Sequence, residues 1–172
     1  MNVSIDGFDK VNSYIRYPSK WENLKKNLKS IDKNPKAYNI SLPKIHTVVQ
    51  MYNVMNLTDL FEFLKKFKFI VPYPSFDFLV DHDHMKVHVL PKELKKIASD
   101  RLLNYADKVA KESFGCAGAR NFTSSLTGIV DYIQMEDTSH LIPEFKRITR
   151  ILDLRRNQKM TDYIPDLEPV YL

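Results

Sequence analysis

Cysteine and glycine are both scarce in this sequence. A single cysteine, Cys116, stands among 172 residues. One thiol forms no internal disulfide and supplies neither an iron–sulfur cluster nor a cysteine-rich zinc site. Only four glycines are present, and no Gly/Ser linker, repeat or low-complexity tract divides the chain. No apolar run approaches the ~20 residues of a membrane-spanning helix. No basic start followed by an apolar stretch marks a secretory leader, so a cytoplasmic protein is expected. There is also no Gly-rich phosphate loop, nucleophile elbow or His-Glu-x-x-His helix. Cys116, in "FGCAGARN", has no histidine close in sequence to act as a base, which favours a buried or incidental thiol over a nucleophile.

What is present is ordinary for a globular domain: 44% hydrophobic and 27% charged residues, with a net charge of +5. The lysines are scattered in pairs such as Lys25-Lys26, Lys65-Lys66 and Lys95-Lys96. Scattered pairs read as solvated helix faces, and nucleic-acid binding is disfavoured.

Strand-like and helix-like segments alternate through the first half. Val3 to Ile5 reads as a strand. Ser19 to Ile31 reads as a helix with Trp21, Leu24, Leu28 and Ile31 on one face, Ser19 as cap and Glu22 three residues on. His46 to Tyr52 is rich in β-formers. Thr58 caps a predicted helix from Asp59 to Phe67. Phe69 to Val71 and Phe76 to Val80 read as one broken strand or two short ones, and Met85 to Val89 as another short strand. Pro91 opens a predicted helix over Lys92 to Ser113. Two more helices are expected over Phe122 to Met135 and Pro143 to Arg155, then an irregular tail from Gln158.

The predicted fold class is therefore α/β. It comprises about three parallel strands with crossover helices over residues 1–90, followed by a helical C-terminal region over 91–172 packed on it. Three strands make a poor parallel sheet alone, because faces and edges need cover.

Chemistry in parallel β/α sheets collects at the carboxyl ends of strands. The first strand delivers Ser4 and Asp6, two apart and so on one face. The second delivers Gln50 and Asn53, and the third leads to Asp81-His82-Asp83-His84. Each has a structural reading too: Asp6-Gly7 is a turn pair, Asn53 a cap, Gln50 a solvated amide. If Met85 to Val89 is a strand, His82, His84, Lys86 and His88 share parity. Lys86 on that face argues against a metal site, and none is assigned.

"SIDGFDKVNSYIRYPSKWENLKKNL", with Asn12, Arg16 and Trp21 at matching places, resembles the fourth strand and helix of radical S-adenosylmethionine enzymes of the SPASM/twitch type. "HTVVQMYNVMNLTDLFEFLKKF", with Asn53 at the strand end, resembles the fifth. "DHMKVHVLPKELKKIASDRL" is similar to the stretch after the sixth strand. "IPEFKRITRILDLRRNQKMTDYIPDL" resembles the C-terminal signature through Asp153, Arg156, Asn157, Gln158, Pro165, Asp166 and Leu167.

The resemblance implies the C-terminal half of such an enzyme, with residues 1–90 as half of a partial β/α barrel and without the CxxxCxxC half that holds a 4Fe-4S cluster. It implies S-adenosylmethionine as cofactor, with Ser4, Asp6, Arg16, Gln50 and Asn53 near it. Asp83 and His84 fall on the side of a peptide or small-molecule substrate. The activity implied is adenosyl-radical hydrogen abstraction, competent only when an N-terminal half or cluster-carrying partner chain completes the barrel. A non-catalytic binding or scaffold module derived from the same fold is the alternative. Asp153 and Arg156, one helical turn apart, are expected to form a structural ion pair.

Overall fold

The computed structural model describes residues 1–40, 42–113 and 116–172. Three strands form a parallel sheet in the order β1 (Asn2–Ser4), β2 (Lys44–Val49), β3 (Ser75–Phe78). Helices α1 (Lys10–Ile15) and α2 (Trp21–Lys33) connect β1 to β2, and α3 (Leu57–Leu64) connects β2 to β3. Then come α4 (Lys92–Glu112), α5 (Ala117–Met135), α6 (Ile142–Arg156) and two short helices, α7 (Met160–Tyr163) and α8 (Glu168–Tyr171). The expected α/β class with three parallel strands is thus observed, in a mostly helical chain.

β1 finds its partner inside the chain. Val3 lies opposite Ile45 and Ser4 opposite His46. Lys44 N–H donates to the Met1 carbonyl and Ile5 N–H to the His46 carbonyl. Because successive residues of a strand face opposite edges, the backbone groups of Asn2 and Ser4 point away from β2. β1 is an edge strand, and among the described residues nothing pairs with its outer side.

The two faces of the sheet differ. Ile45, Thr47 and Val49 of β2 are buried, as is Ile5. On this side Phe76 packs against Phe61 of α3 and Phe122 of α5, and Phe78 stacks on Tyr132 at 3.8 Å. Phe61 also meets Tyr105 of α4, so α3, α4 and α5 share one core under β3. Core residues from both halves of the chain belong to a single cluster. The opposite face carries Asn2, Ser4, Lys44, His46, Val48, Ser75 and Asp77, none of them buried.

Several expected elements take another form. Met85 to Val89 is two 3₁₀ turns, Asp83–Met85 and Val87–Val89, because the Met85 carbonyl accepts from Met51 N–H and the His88 carbonyl from Thr138 N–H instead of a strand ladder. The shared parity of His82, His84, Lys86 and His88 is therefore lost. His88 turns inward, and its Nε2–H donates to the Tyr132 carbonyl at 2.7 Å. Phe69 to Val71 is not a strand. Ser19 and Thr58 do not cap, since α2 starts after Lys20 and α3 after Asn56. Cys116 is exposed at the start of α5, and its neighbours Phe114 and Gly115 lie outside the described residues.

The tail is helical, with Met160, Ile164, Leu167 and Val170 buried. It is fixed by Asp153, whose buried carboxylate accepts from Tyr14 Oη–H and Tyr171 Oη–H, both at 2.8 Å, and from Met160 N–H at 2.9 Å. Asp153 and Arg156 do not form the expected ion pair. Arg156 instead donates to the Tyr14 carbonyl at 3.0 Å and lies over the Tyr17 ring.

Candidate functional site at the strand ends

β1 ends where its ladder with β2 is taken over by side chains. The Ile5 carbonyl accepts from Thr47 Oγ1–H at 2.7 Å. Val48 N–H, left without that acceptor, donates to Asp6 Oδ1 at 2.9 Å. Asp6 Oδ2 takes the Nε–H of Arg16 at 2.7 Å, and Asp6 N–H donates to Asn12 Oδ1 at 3.0 Å. The chain can turn here because Gly7 has no side chain. A Cβ would stand 2.8 Å from Val11 Cγ1, closer than side-chain carbons approach.

Asn53 closes the cluster from the other strand. Its amide donates to the Asp6 and Val48 carbonyls at 2.6 and 2.7 Å and accepts from Gln50 N–H at 2.9 Å. Asn53 is fully buried and Asp6 nearly so. Their polar atoms are spent on the two strand ends, which is a holding role.

Arg16 is different. Its side chain is 37% exposed, and only Nε is engaged by Asp6. Neither terminal nitrogen has a hydrogen-bond or ion-pair partner among the described residues. A guanidinium pinned at Nε with its terminal nitrogens open is suited to a carboxylate or phosphate.

The sheet's bare face extends this site. His46 lies between two side chains of β3, with Nδ1 3.0 Å from Ser75 Oγ and Nε2 3.1 Å from Asp77 Oδ2. The register places His46 opposite Ser75 and Val48 opposite Asp77, which brings the three together. Ser4 is beside His46 on β1. The result is a polar row of Ser4, His46, Ser75 and Asp77 running toward Asp6 and Arg16.

Of the residues singled out from sequence, Asp6, Arg16, Gln50 and Asn53 come together, and Ser4 lies one step along the same face. Asp83 and His84 keep other company. Asp83 is paired with Lys86 at 2.6 Å, which holds its carboxyl below the usual range. His84 is pushed below its ordinary value, first by burial and then by neighbouring cations, against the pull of Glu144 of α6. Sequence reasoning missed His46, Ser75 and Asp77. The signal for His46 was its parity with Gln50, the residue that follows β2. Among the described residues no three His, Cys, Asp or Glu side chains are grouped to hold a metal ion.

No family model matches the chain, and neither a curated protein nor a solved structure matches it.

Proposed function

We propose that this chain is the cofactor- and substrate-lining half of a radical S-adenosylmethionine enzyme of the SPASM/twitch type, a half of a partial β/α barrel completed by a cluster-bearing segment. The observation that carries this reading is the uncovered polar face of a parallel sheet. Parallel sheets are normally covered on both faces. Here one face holds Ser4, His46, Ser75 and Asp77 in the open, next to an unpaired β1 edge. As the inner face of an open partial barrel it would line a cavity, and further strands added beyond β1 would curve the sheet around it.

The 4Fe-4S cluster does not fit this chain's own residues. Cys116 alone, exposed at the start of α5, cannot ligate it, so the completing segment has to bring the cluster. S-adenosylmethionine fits better. Arg16 offers two free nitrogens to a carboxylate, and Ser4 a hydroxyl to a ribose or ammonium group. The cofactor, when bound, supplies hydrogen abstraction from a peptide or small-molecule substrate. Asp6 orients Arg16, and Gln50 and Asn53 hold the floor beneath it. The His46 array orients polar groups farther along the face.

A second reading, a non-catalytic binding module on the same fold, is favoured by one fact: Asp6 and Asn53 spend their polar atoms on their own backbone. Calorimetric titration with S-adenosylmethionine separates the two. The first reading expects binding that Arg16→Gln weakens about tenfold or more. No binding, or binding that Arg16→Gln leaves unchanged, overturns it in favour of the second.

A further inference from the structure

Far from the strand ends in chemistry, α2 and the segment following α3 enclose a second concavity of about 670 Å³. Its floor is aromatic, built from Phe8, Trp21, Phe63, Phe67 and Phe69. The rings pack edge-on or tilted: Phe8 on Trp21 at 5.3 Å, Trp21 on Phe63 at 4.9 Å, Phe63 on Phe67 at 5.1 Å. Phe69 is half exposed at one end.

The rim is basic on both banks. Lys25, Lys29 and Lys33 recur at every fourth residue of α2, one row along its surface. Lys66 and Lys68 stand opposite. Lys25 is paired with Glu22 at 3.1 Å. Asp32, the nearest acid to the far end, is spent on the N–H groups of Lys68 and Phe69 at 2.9 and 2.7 Å. Lys29, Lys33, Lys66 and Lys68 have no carboxylate within ion-pair distance among the described residues. The lining thus carries five lysines against Asp9, Glu22 and Asp32, and this basic excess around an apolar floor selects an occupant that is apolar on one side and acidic on its flanks.

Shape narrows the occupant further. The groove is partly open to solvent, so an occupant keeps one side in water. Trp21 and Phe63 are almost wholly buried, so neither presents an open ring face for base stacking, which single-stranded nucleic acid requires. α2 has 13 residues, about 20 Å of length. That length accommodates a docked helix of three to four turns with apolar anchors along one face.

We propose that the α2/α3 groove is a docking site for an acidic amphipathic helix of a partner protein. The aromatic floor takes its apolar face, and Lys29, Lys33, Lys66 and Lys68 take carboxylates on its two flanks. This site is independent of the strand-end reading, because it uses none of the same residues.

Trp21 is the only tryptophan of the chain, so its emission reports on the groove directly. The probe is a synthetic 18-residue helical peptide with leucines on one face and glutamates flanking them, compared with a copy in which every glutamate is lysine. The acidic peptide is expected to shift Trp21 emission saturably, bind at least tenfold more tightly than the basic copy, and weaken as salt is raised. The combined substitution Lys29→Glu, Lys33→Glu, Lys66→Glu and Lys68→Glu changes only exposed side chains, and it should reverse the preference. Equal binding of the two peptides, no binding of either, or a preference the quadruple variant leaves unchanged overturns the proposal. Saturable Trp21 shifts with dodecanoate or oligo-dT but not with the acidic peptide overturn it as well, in favour of a small amphiphile or single-stranded nucleic acid.

Discussion

Asp6 holds Arg16 by its Nε alone, at 2.7 Å, while the other oxygen of the same carboxylate accepts from the backbone of Val48 at 2.9 Å. One buried carboxylate thus ends the β1–β2 ladder and aims a guanidinium outward. Asp6→Ala removes both the acceptor of Val48 N–H and the charge-assisted bond to Arg16. It should lower stability by about 2 kcal/mol, read as a shift of the urea midpoint at unchanged slope. Arg16→Gln, at a more exposed position, should cost under about 1 kcal/mol. Equal costs for the two would contradict the assignment of Asp6 to the backbone.

Asp153 joins four helices through Tyr14, Met160 and Tyr171. Asp153→Ala leaves two buried hydroxyls and one amide without an acceptor. A loss of about 3 kcal/mol or more is expected, with residues 160–171 losing their hydrogen-exchange protection first. A variant as stable as the parent would show that the tail is held by apolar contacts alone.

The buried phenols make the fold sensitive to alkali. Burial pushes Tyr52 up to about 12. Burial and the hydrogen bond to Asp153 do the same for Tyr171, and Tyr14 and Tyr105 lie higher still. In the unfolded chain a tyrosine titrates near 10. The folded state therefore holds more protons above that value, and stability is full below pH ~10 and is lost as pH rises toward 12. Urea midpoints taken across that range should fall, with phenolate absorbance appearing together with unfolding. Phenolate growth well before unfolding would contradict the burial of these side chains.

Phe61 is fully buried where α3, α4, α5 and β3 meet. Phe61→Ala opens a cavity that four elements cannot close together, at a cost of about 3–5 kcal/mol. Thermal or urea unfolding reads this directly. A cost near 1 kcal/mol would mean the core collapses around the gap.

Local pattern carried the helices well. The Trp21, Leu24, Leu28 spacing predicted α2, and Pro91 marks the start of α4. The β-α-β-α-β order implied parallel strands, and Asp6 and Asn53 were visible as polar strand ends. Long-range pairing was not visible. His46 meets Ser75 and Asp77 only because β2 and β3 align in one register, and no local motif encodes that. The alternation at Met85 to Val89 read as a strand, but its carbonyls accept from the distant Met51 and Thr138 N–H groups instead of joining a ladder. Pro165 and Pro169 read as breakers of an irregular tail, yet both sit in first turns, where a missing N–H costs nothing. The aromatic groove was hidden because Trp21 and Phe63 read as core and the lysines as solvated surface.

The most direct test of the strand-end account is an amide chemical-shift map of the full chain on addition of S-adenosylmethionine. The account predicts perturbations at Ser4, Asp6, Arg16, His46 and Gln50, with α2 from Lys25 to Lys33 unmoved. Shifts confined to the α2/α3 groove, or none at millimolar cofactor, would contradict it.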